Sequence, residues 1–177
     1  MPPERLLVYG FGPYRNFRDN VTASIVRVLP KQRSVKTIVF PVRFHKAQFI
    51  GVVKRFKPDV ILGLGQCSKG RLLRIETRAV NHRRSNKKVR ATAIVPGGAG
   101  KLFTTLRLGK MSGARMSRNA GDYVCNYSMY VILDYVKTRR LPIRFGFVHV
   151  PHTYNRYQAA LFVTKAIKKL SAQGSSG

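Results

Sequence analysis

Apolar positions along the chain repeat with two periods, and the alternation between them sets the expected architecture. Arg5 to Phe11 is a β-branched and aromatic run that ends at Gly12-Pro13, which reads as a strand followed by a turn. Asp19 or Asn20 can cap a helix over Val21 to Leu29, which Pro30 stops. Ser34 to Pro41 reads as a second strand. Phe44, Ala47, Ile50 (or Gly51) and Val53 then fall at helical spacing up to Phe56, before the Pro58 breaker. Asp59 to Gly65 is a short apolar run between breakers, as in a strand buried on both faces. Leu72 to Asn81 alternates and predicts one further strand. His82 to Ser117 carries weaker signals: loops are expected there, with one or two short strands, for instance over Ala91 to Val95. Asp122 to Thr138 predicts a helix, Ile143 to Val150 a strand, and Gln158 to Leu170 an amphipathic helix with Lys165, Lys168 and Lys169 on its polar face. No internal repeat is evident.

Strands that alternate with helices imply βαβ units. The expected fold is α/β: a single-domain three-layer sandwich, a mostly parallel twisted sheet with helices on both faces. Residues 1–170 form the domain, and the Gly/Ser-rich stretch 171–177 reads as a flexible tail. Ligands in such folds bind beyond the carboxyl ends of the strands. That rule singles out Gly10 to Tyr14, Gly65-Gln66-Cys67 and His149-Val150-Pro151.

Three residues then suggest chemistry. Gly121 permits a sharp turn into the helix whose first turn holds Cys125, where unpaired N–H groups and the helix dipole favour a thiolate. A free cysteine is, however, often just a small buried hydrophobe. His149 ends a buried strand at the expected active edge, as a general base would, or as a merely satisfied histidine would. His45, His82 and His152 look like surface groups. Glu76 can orient an imidazole, or simply pair with Arg74 or Arg78.

Charge adds a separate observation. The 177 residues contain 34 Lys+Arg against 6 Asp+Glu, a formal net charge of +28, yet only 23% of residues are charged. The amount of charge is ordinary and its sign is skewed. The bases are dispersed instead of forming a stripe, which favours a supercharged, engineered surface over a dedicated nucleic-acid reader. Either origin predicts non-specific nucleic-acid or polyanion binding. Acids retained in such a chain should include those that cannot be lost, Glu76 among them. Two cysteines make no disulfide framework, no apolar run reaches the length of a membrane span, and Met1 to Arg5 leads directly into a strand. A cytoplasmic protein with no membrane association is expected.

Taken in order, these segments resemble the pyroglutamyl peptidase I family (pyrrolidone-carboxylate peptidases). Val8-Tyr9-Gly10-Phe11-Gly12-Pro13-Tyr14 is similar to its first-strand motif T-G-F-x-P-F, and Pro58 to Gln66 to P-D-x-x-L-x-L-G-Q. Glu76-Thr77-Arg78-Ala79-Val80-Asn81 resembles E-R-x-A-x-N. Ala120 to Tyr127, with Met129-Tyr130, resembles A-G-x-Y-x-C-N and its Met-Tyr pair, and Gly146 to Pro151 resembles G-F-x-H-x-P. The resemblance implies a cysteine omega-peptidase that removes N-terminal pyroglutamate through a thioester. It assigns Cys125 as nucleophile, His149 as base and Glu76 as third member. It also implies that Phe11 and Tyr14 sandwich the lactam ring and that Gln66 bonds its amide. Peptides with N-terminal pyroglutamate are the expected partners, a homo-oligomer is a possible assembly, and neither a cofactor nor a metal is expected. One departure stands out. The family carries an arginine about ten residues beyond the glutamate, in A-R-x-P-D-N; here Asn86 holds that offset, with Arg83 and Arg84 close by.

Overall fold

The computed structural model describes residues 4–174, with side chains described up to Leu170. Eight strands and four helices follow one another as β1 (Leu6–Phe11), α1 (Val21–Val28), β2 (Val35–Phe40), α2 (Lys46–Phe56), β3 (Val60–Cys67), β4 (Leu73–Glu76), β5 (Arg78–Val80), β6 (Lys101–Phe103), β7 (Ala114–Ser117), α3 (Val124–Thr138), β8 (Arg144–Pro151) and α4 (Arg156–Gly174). The central sheet has the order β2-β1-β3-β8-β4-β7. Its first four strands run parallel; β4 pairs antiparallel with β8, and β7 runs parallel with β4.

Each element forms for a local reason. β1 and β3 are buried at every position, so they carry continuous apolar runs and no polar face. Asn20 caps α1 by accepting the Thr22 N–H at 3.0 Å, a bond of the kind worth about 1 kcal/mol. α2 ends where Lys57 turns left-handed and donates its N–H to the Val53 carbonyl. The core divides in two across the sheet. Phe49, Val53, Met129, Tyr130 and Ile132 pack α2 and α3 on one face against Tyr9, Phe145 and Phe147. Ile25, Val26, Phe162, Val163 and Ile167 pack α1 and α4 on the other, against Val8, Leu62 and Val148. The expected three-layer sandwich is therefore present.

Four details depart from the sequence reading. The single strand expected over 72–81 is two, β4 in the main sheet and β5 in a two-stranded ribbon with β6, because the chain changes sheets at Thr77. Residues 91–95 form no strand. Asn81 instead gathers that loop, accepting the Ile94 and Val95 N–H groups at 2.9 Å and donating to the Val95 and Gly98 carbonyls. The short strands of this region lie at 101–103 and 114–117. Finally, α4 continues to Gly174, inside the stretch read as a tail; residues 175–177 fall outside the described residues.

Candidate active site

The carboxyl ends of β1, β3 and β8 open into a cavity of about 300 Å³, which is closed from above by the start of α3 and reached from the side by β4. Phe11, Tyr14, Gln66, Cys67, Arg74, Cys125 and His149 are among its lining residues. Of the six candidate catalytic and substrate residues, Phe11, Tyr14, Gln66, Cys125 and His149 line this one cavity, and Glu76 meets it through His149.

Strand register explains the meeting. His149 pairs with Gly65 on one side and with Arg74 on the other. Paired residues in neighbouring strands point to the same face. A Cβ added at Gly65 would lie 2.6 Å from Cys125 Sγ. The sulfur therefore occupies the space above Gly65, beside the histidine. Only a residue without a side chain leaves that space. Gly121, with φ of +79°, makes the sharp entrance to α3, so Cys125 is the helix's second residue. The neighbouring Asn126 fixes the helix laterally. Its Oδ1 accepts the Val80 N–H at 2.9 Å, and its Nδ2 donates to the Val80 and His82 carbonyls.

Glu76 and His149 are 1% and 4% exposed, and His149 Nδ1 lies 2.8 Å from Glu76 Oε1. Nδ1–H donates to the carboxylate, which leaves Nε2 for the cavity. Arg74, the alternative partner, stands farther off, with Nε 4.0 Å from the same oxygen. Burial alone pushes the Glu76 carboxyl up, but the His149 hydrogen bond and charge, together with Ser117 and Arg74, bring it below its ordinary value. The carboxylate is thus ionised at neutral pH.

The Cys125 thiol behaves differently from the sequence expectation. Burial pushes it up to about 12, and the nearby Cys67 and Glu76 push the same way; Arg74 and the residue's own backbone N–H oppose this without winning. Burial thus works against the standing thiolate that helix position alone would favour. Cys67 is buried and lies in the cavity wall, its Sγ 3.4 Å from the Lys69 carbonyl.

Gln66 is committed at one end. Its Oε1 accepts the Val21 N–H at 2.8 Å, while the buried Nε2, next to the Tyr14 hydroxyl, makes no hydrogen bond of normal geometry. It can therefore offer donors to a ligand carbonyl. Phe11 is buried and Tyr14 half-buried. No group of three His, Cys, Asp or Glu among the described residues is placed to hold a metal.

Against known proteins, the pyroglutamyl peptidase family model matches residues 4–172. The chain is 32% identical over 168 residues to the pyrrolidone-carboxylate peptidase of Pyrococcus furiosus, which covers 84% of this chain and 81% of that one. It is 30% identical over 166 residues to pyrrolidone-carboxylate peptidase 1 of Saccharolobus solfataricus, covering 82% of this chain and 78% of the other. This chain belongs to the pyroglutamyl peptidase family. A crystal structure of a mutant pyrrolidone carboxyl peptidase from Pyrococcus furiosus superposes with a TM-score of 0.85 at 26% identity, over 96% of this chain and 99% of that one. The Thermococcus litoralis pyrrolidone carboxyl peptidase shares the fold, with a TM-score of 0.82 at 20% identity.

Within this family of cysteine peptidases, the loop departure can now be located. Arg83 stacks over Phe44 and Tyr127, and Arg84 pairs with Asp122 and donates its N–H to the Asp122 carbonyl. Neither lines the cavity. The guanidinium that does so from beside the glutamate is Arg74, which the sequence reading considered only as a salt-bridge partner. Its position two residues before Glu76 on a strand, hence on the same face, was the available signal.

Proposed function

We propose that this protein removes N-terminal pyroglutamate from peptides, with Cys125 as nucleophile, His149 as base and Glu76 as the group that orients and charges the imidazole. The observation that carries the assignment is the buried 2.8 Å Nδ1 to Oε1 contact directly beside the thiol. Because burial disfavours a standing thiolate, deprotonation accompanies attack: the Sγ proton passes to His149 Nε2 as the S–C bond forms and the carbonyl electron pair moves to oxygen. Glu76 stabilises the imidazolium that results. The backbone N–H of Cys125 helps hold the oxyanion. The C–N bond then breaks, the leaving amine takes the proton from Nε2, and a thioester remains. Water, giving its proton to His149, attacks the thioester carbonyl; the C–S bond breaks and Sγ is reprotonated, which frees pyroglutamate.

Phe11 and Tyr14 flank the flat lactam, and the spare Gln66 Nε2 donors meet its carbonyl. Open-chain N-termini are rejected because their ammonium would be desolvated without a partner, next to Arg15 and Arg74. The test is hydrolysis of a fluorogenic pyroglutamyl amide: the wild type turns over and the Cys125→Ala variant does not. Equal rates for the two would remove Cys125 from the reaction. The activity resides in one domain that includes the whole of α4, and the dispersed basic surface additionally binds polyanions without sequence preference.

A further inference from the structure

Beyond the lactam site, we propose that the peptide leaving the reaction lies in a basic groove along β4 and β7, and that the enzyme favours substrates with acidic residues directly after the pyroglutamate. This rests on the peptidase reading above and deepens it.

The strand order supplies the direction. Phe11 on β1 and Gln66 on β3 lie on one side of β8, which carries His149. Arg74 on β4 lies on the other side of His149, and Arg115 on β7 pairs with Arg74 in register. With the ring on the β1 side and the scissile bond at Cys125 and His149, the chain after the bond runs towards β4 and β7.

That direction leads into a second depression. It is lined by Arg74, Arg115 and Arg118 and shares Arg74 and Asn119 with the catalytic cavity. A third, which shares Thr77 and Arg118 with the second, adds Arg78 and Lys101. The three form one path outwards. Its floor is fixed: Thr77 donates its N–H and Oγ1–H to the Ser117 carbonyl at 2.8 and 2.9 Å, and Arg78 Nε donates to the Arg118 carbonyl at 3.0 Å.

No acidic side chain lines the second and third depressions. The two acids nearest the cavity are already used, Glu76 by His149 and Asp122 by Arg84. The buried Arg74 Nε, at the junction, has no hydrogen-bond partner among the described residues. Along this path, among the described residues, only Arg74 has a carboxylate within 4.0 Å, that of Glu76, which His149 already holds; a groove of guanidinium groups that starts at the scissile bond suits carboxylate side chains, and Arg can bind them bidentately. A nucleic acid would instead need aromatic platforms along the path, and only Phe103, at its far end, is of that kind.

The experiment compares kcat/KM for a pyroglutamyl peptide with two aspartates after the ring against one with two alanines. Hydrolysis of the alanine peptide reports on the peptidase reading; the ratio of the two reports on the groove. Exposed ion pairs of this kind predict a ratio of roughly tenfold at low salt, falling towards one near 1 M salt as the Debye length drops to ~3 Å. Arg115→Gln with Arg118→Gln should cut the ratio severalfold. Arg33→Gln with Arg55→Gln removes the same charge from exposed positions before β2 and in α2, and should leave the ratio unchanged. The ratio is also read as Kd by fluorescence anisotropy in Cys125→Ala, so the test stands without turnover. A ratio near one, an equal fall in both double variants, or displacement of the aspartate peptide by single-stranded DNA but not by a pyroglutamyl-free acidic peptide would overturn the proposal.

Discussion

Replacing Gly65 with alanine perturbs the site at the point where strand and nucleophile come closest. The added Cβ would stand 2.6 Å from Cys125 Sγ and 2.7 Å from Phe147 Cζ. Comfortable contacts of this kind lie near 3.5–4.0 Å, so the Cβ must gain about 1 Å from both neighbours. Phe147 is fully buried and packed against Tyr9 and His149, with ring centroids 6.2 and 5.1 Å away. The sulfur, facing a cavity, is the freer of the two. A displacement of about 1 Å at a reacting atom costs on the order of 100-fold in rate. The same overpacking should cost about 1–3 kcal/mol of stability, or a few degrees in Tm for a domain of this size. Steady-state kinetics on the fluorogenic pyroglutamyl amide, alongside thermal melts followed by circular dichroism, measures both. Gly100→Ala is the control, since a Cβ there meets nothing within 4 Å. Full kcat/KM in a folded Gly65→Ala variant, or an equal loss in Gly100→Ala, refutes the placement of the thiol.

Glu76→Gln keeps the shape and removes the charge; kcat should fall on the order of 10- to 1000-fold, less than the roughly 10⁴-fold seen for the comparable change in a serine triad, whereas Asp59→Ala, which loses the Arg5 N–H bond at 2.7 Å, should lower Tm and leave kcat nearly unchanged. Because the Glu76 carboxyl is held below its ordinary value of 4.5, its contribution to stability is present above about pH 4.5 and is lost as pH falls further; acid unfolding of Glu76→Gln should lack that component. The Cys125 thiol is shifted the other way, so its contribution is complete below about 9 and lost as pH rises towards about 12; iodoacetamide labelling of the free enzyme should be slow at pH 7–8 and accelerate only well above pH 9, and rapid labelling at neutral pH would count against it. Gly51 sits inside α2, where a Cβ would have open space up to Arg55 Nη1 at 3.9 Å, so Gly51→Ala should raise stability by about 0.5–1 kcal/mol in a urea melt.

Much of the fold was legible because its signals are local. The runs 60–65 and 145–148 are apolar throughout, as strands buried on both faces must be, and the period over 158–170 is helical. The Cys and His motifs were readable for the same reason, since Gly121 precedes α3 and Pro151 ends β8, whereas Glu76 ends β4 with neither Gly nor Pro beside it. The stretch 72–117 was not, because β4, β5, β6 and β7 are three or four residues long and are held by partners distant in sequence: Glu76 by Phe147, Arg78 by Phe103, Arg74 by Arg115. No window of residues contains that information. The thiol's behaviour was hidden in the same way. Position in a helix's first turn predicts a lowered pKa, whereas burial and the proximity of Cys67 and Glu76 depend on tertiary packing and prevail. Four of the six acids are engaged by partners. Glu4 pairs with Arg144 at 2.7 Å, Asp59 accepts the Arg5 N–H, Asp122 pairs with Arg84 and Glu76 holds His149.

Turnover by this mechanism depends most on Cys125 forming the covalent bond. Rapid acid quench during turnover of a pyroglutamyl ester, followed by intact-mass and peptide mass spectrometry, should trap one pyroglutamyl group per chain on the peptide containing Cys125. The adduct should be absent from Cys125→Ala, and in His149→Ala it should form far more slowly. An adduct on Cys67, or undiminished turnover without Cys125, would contradict it.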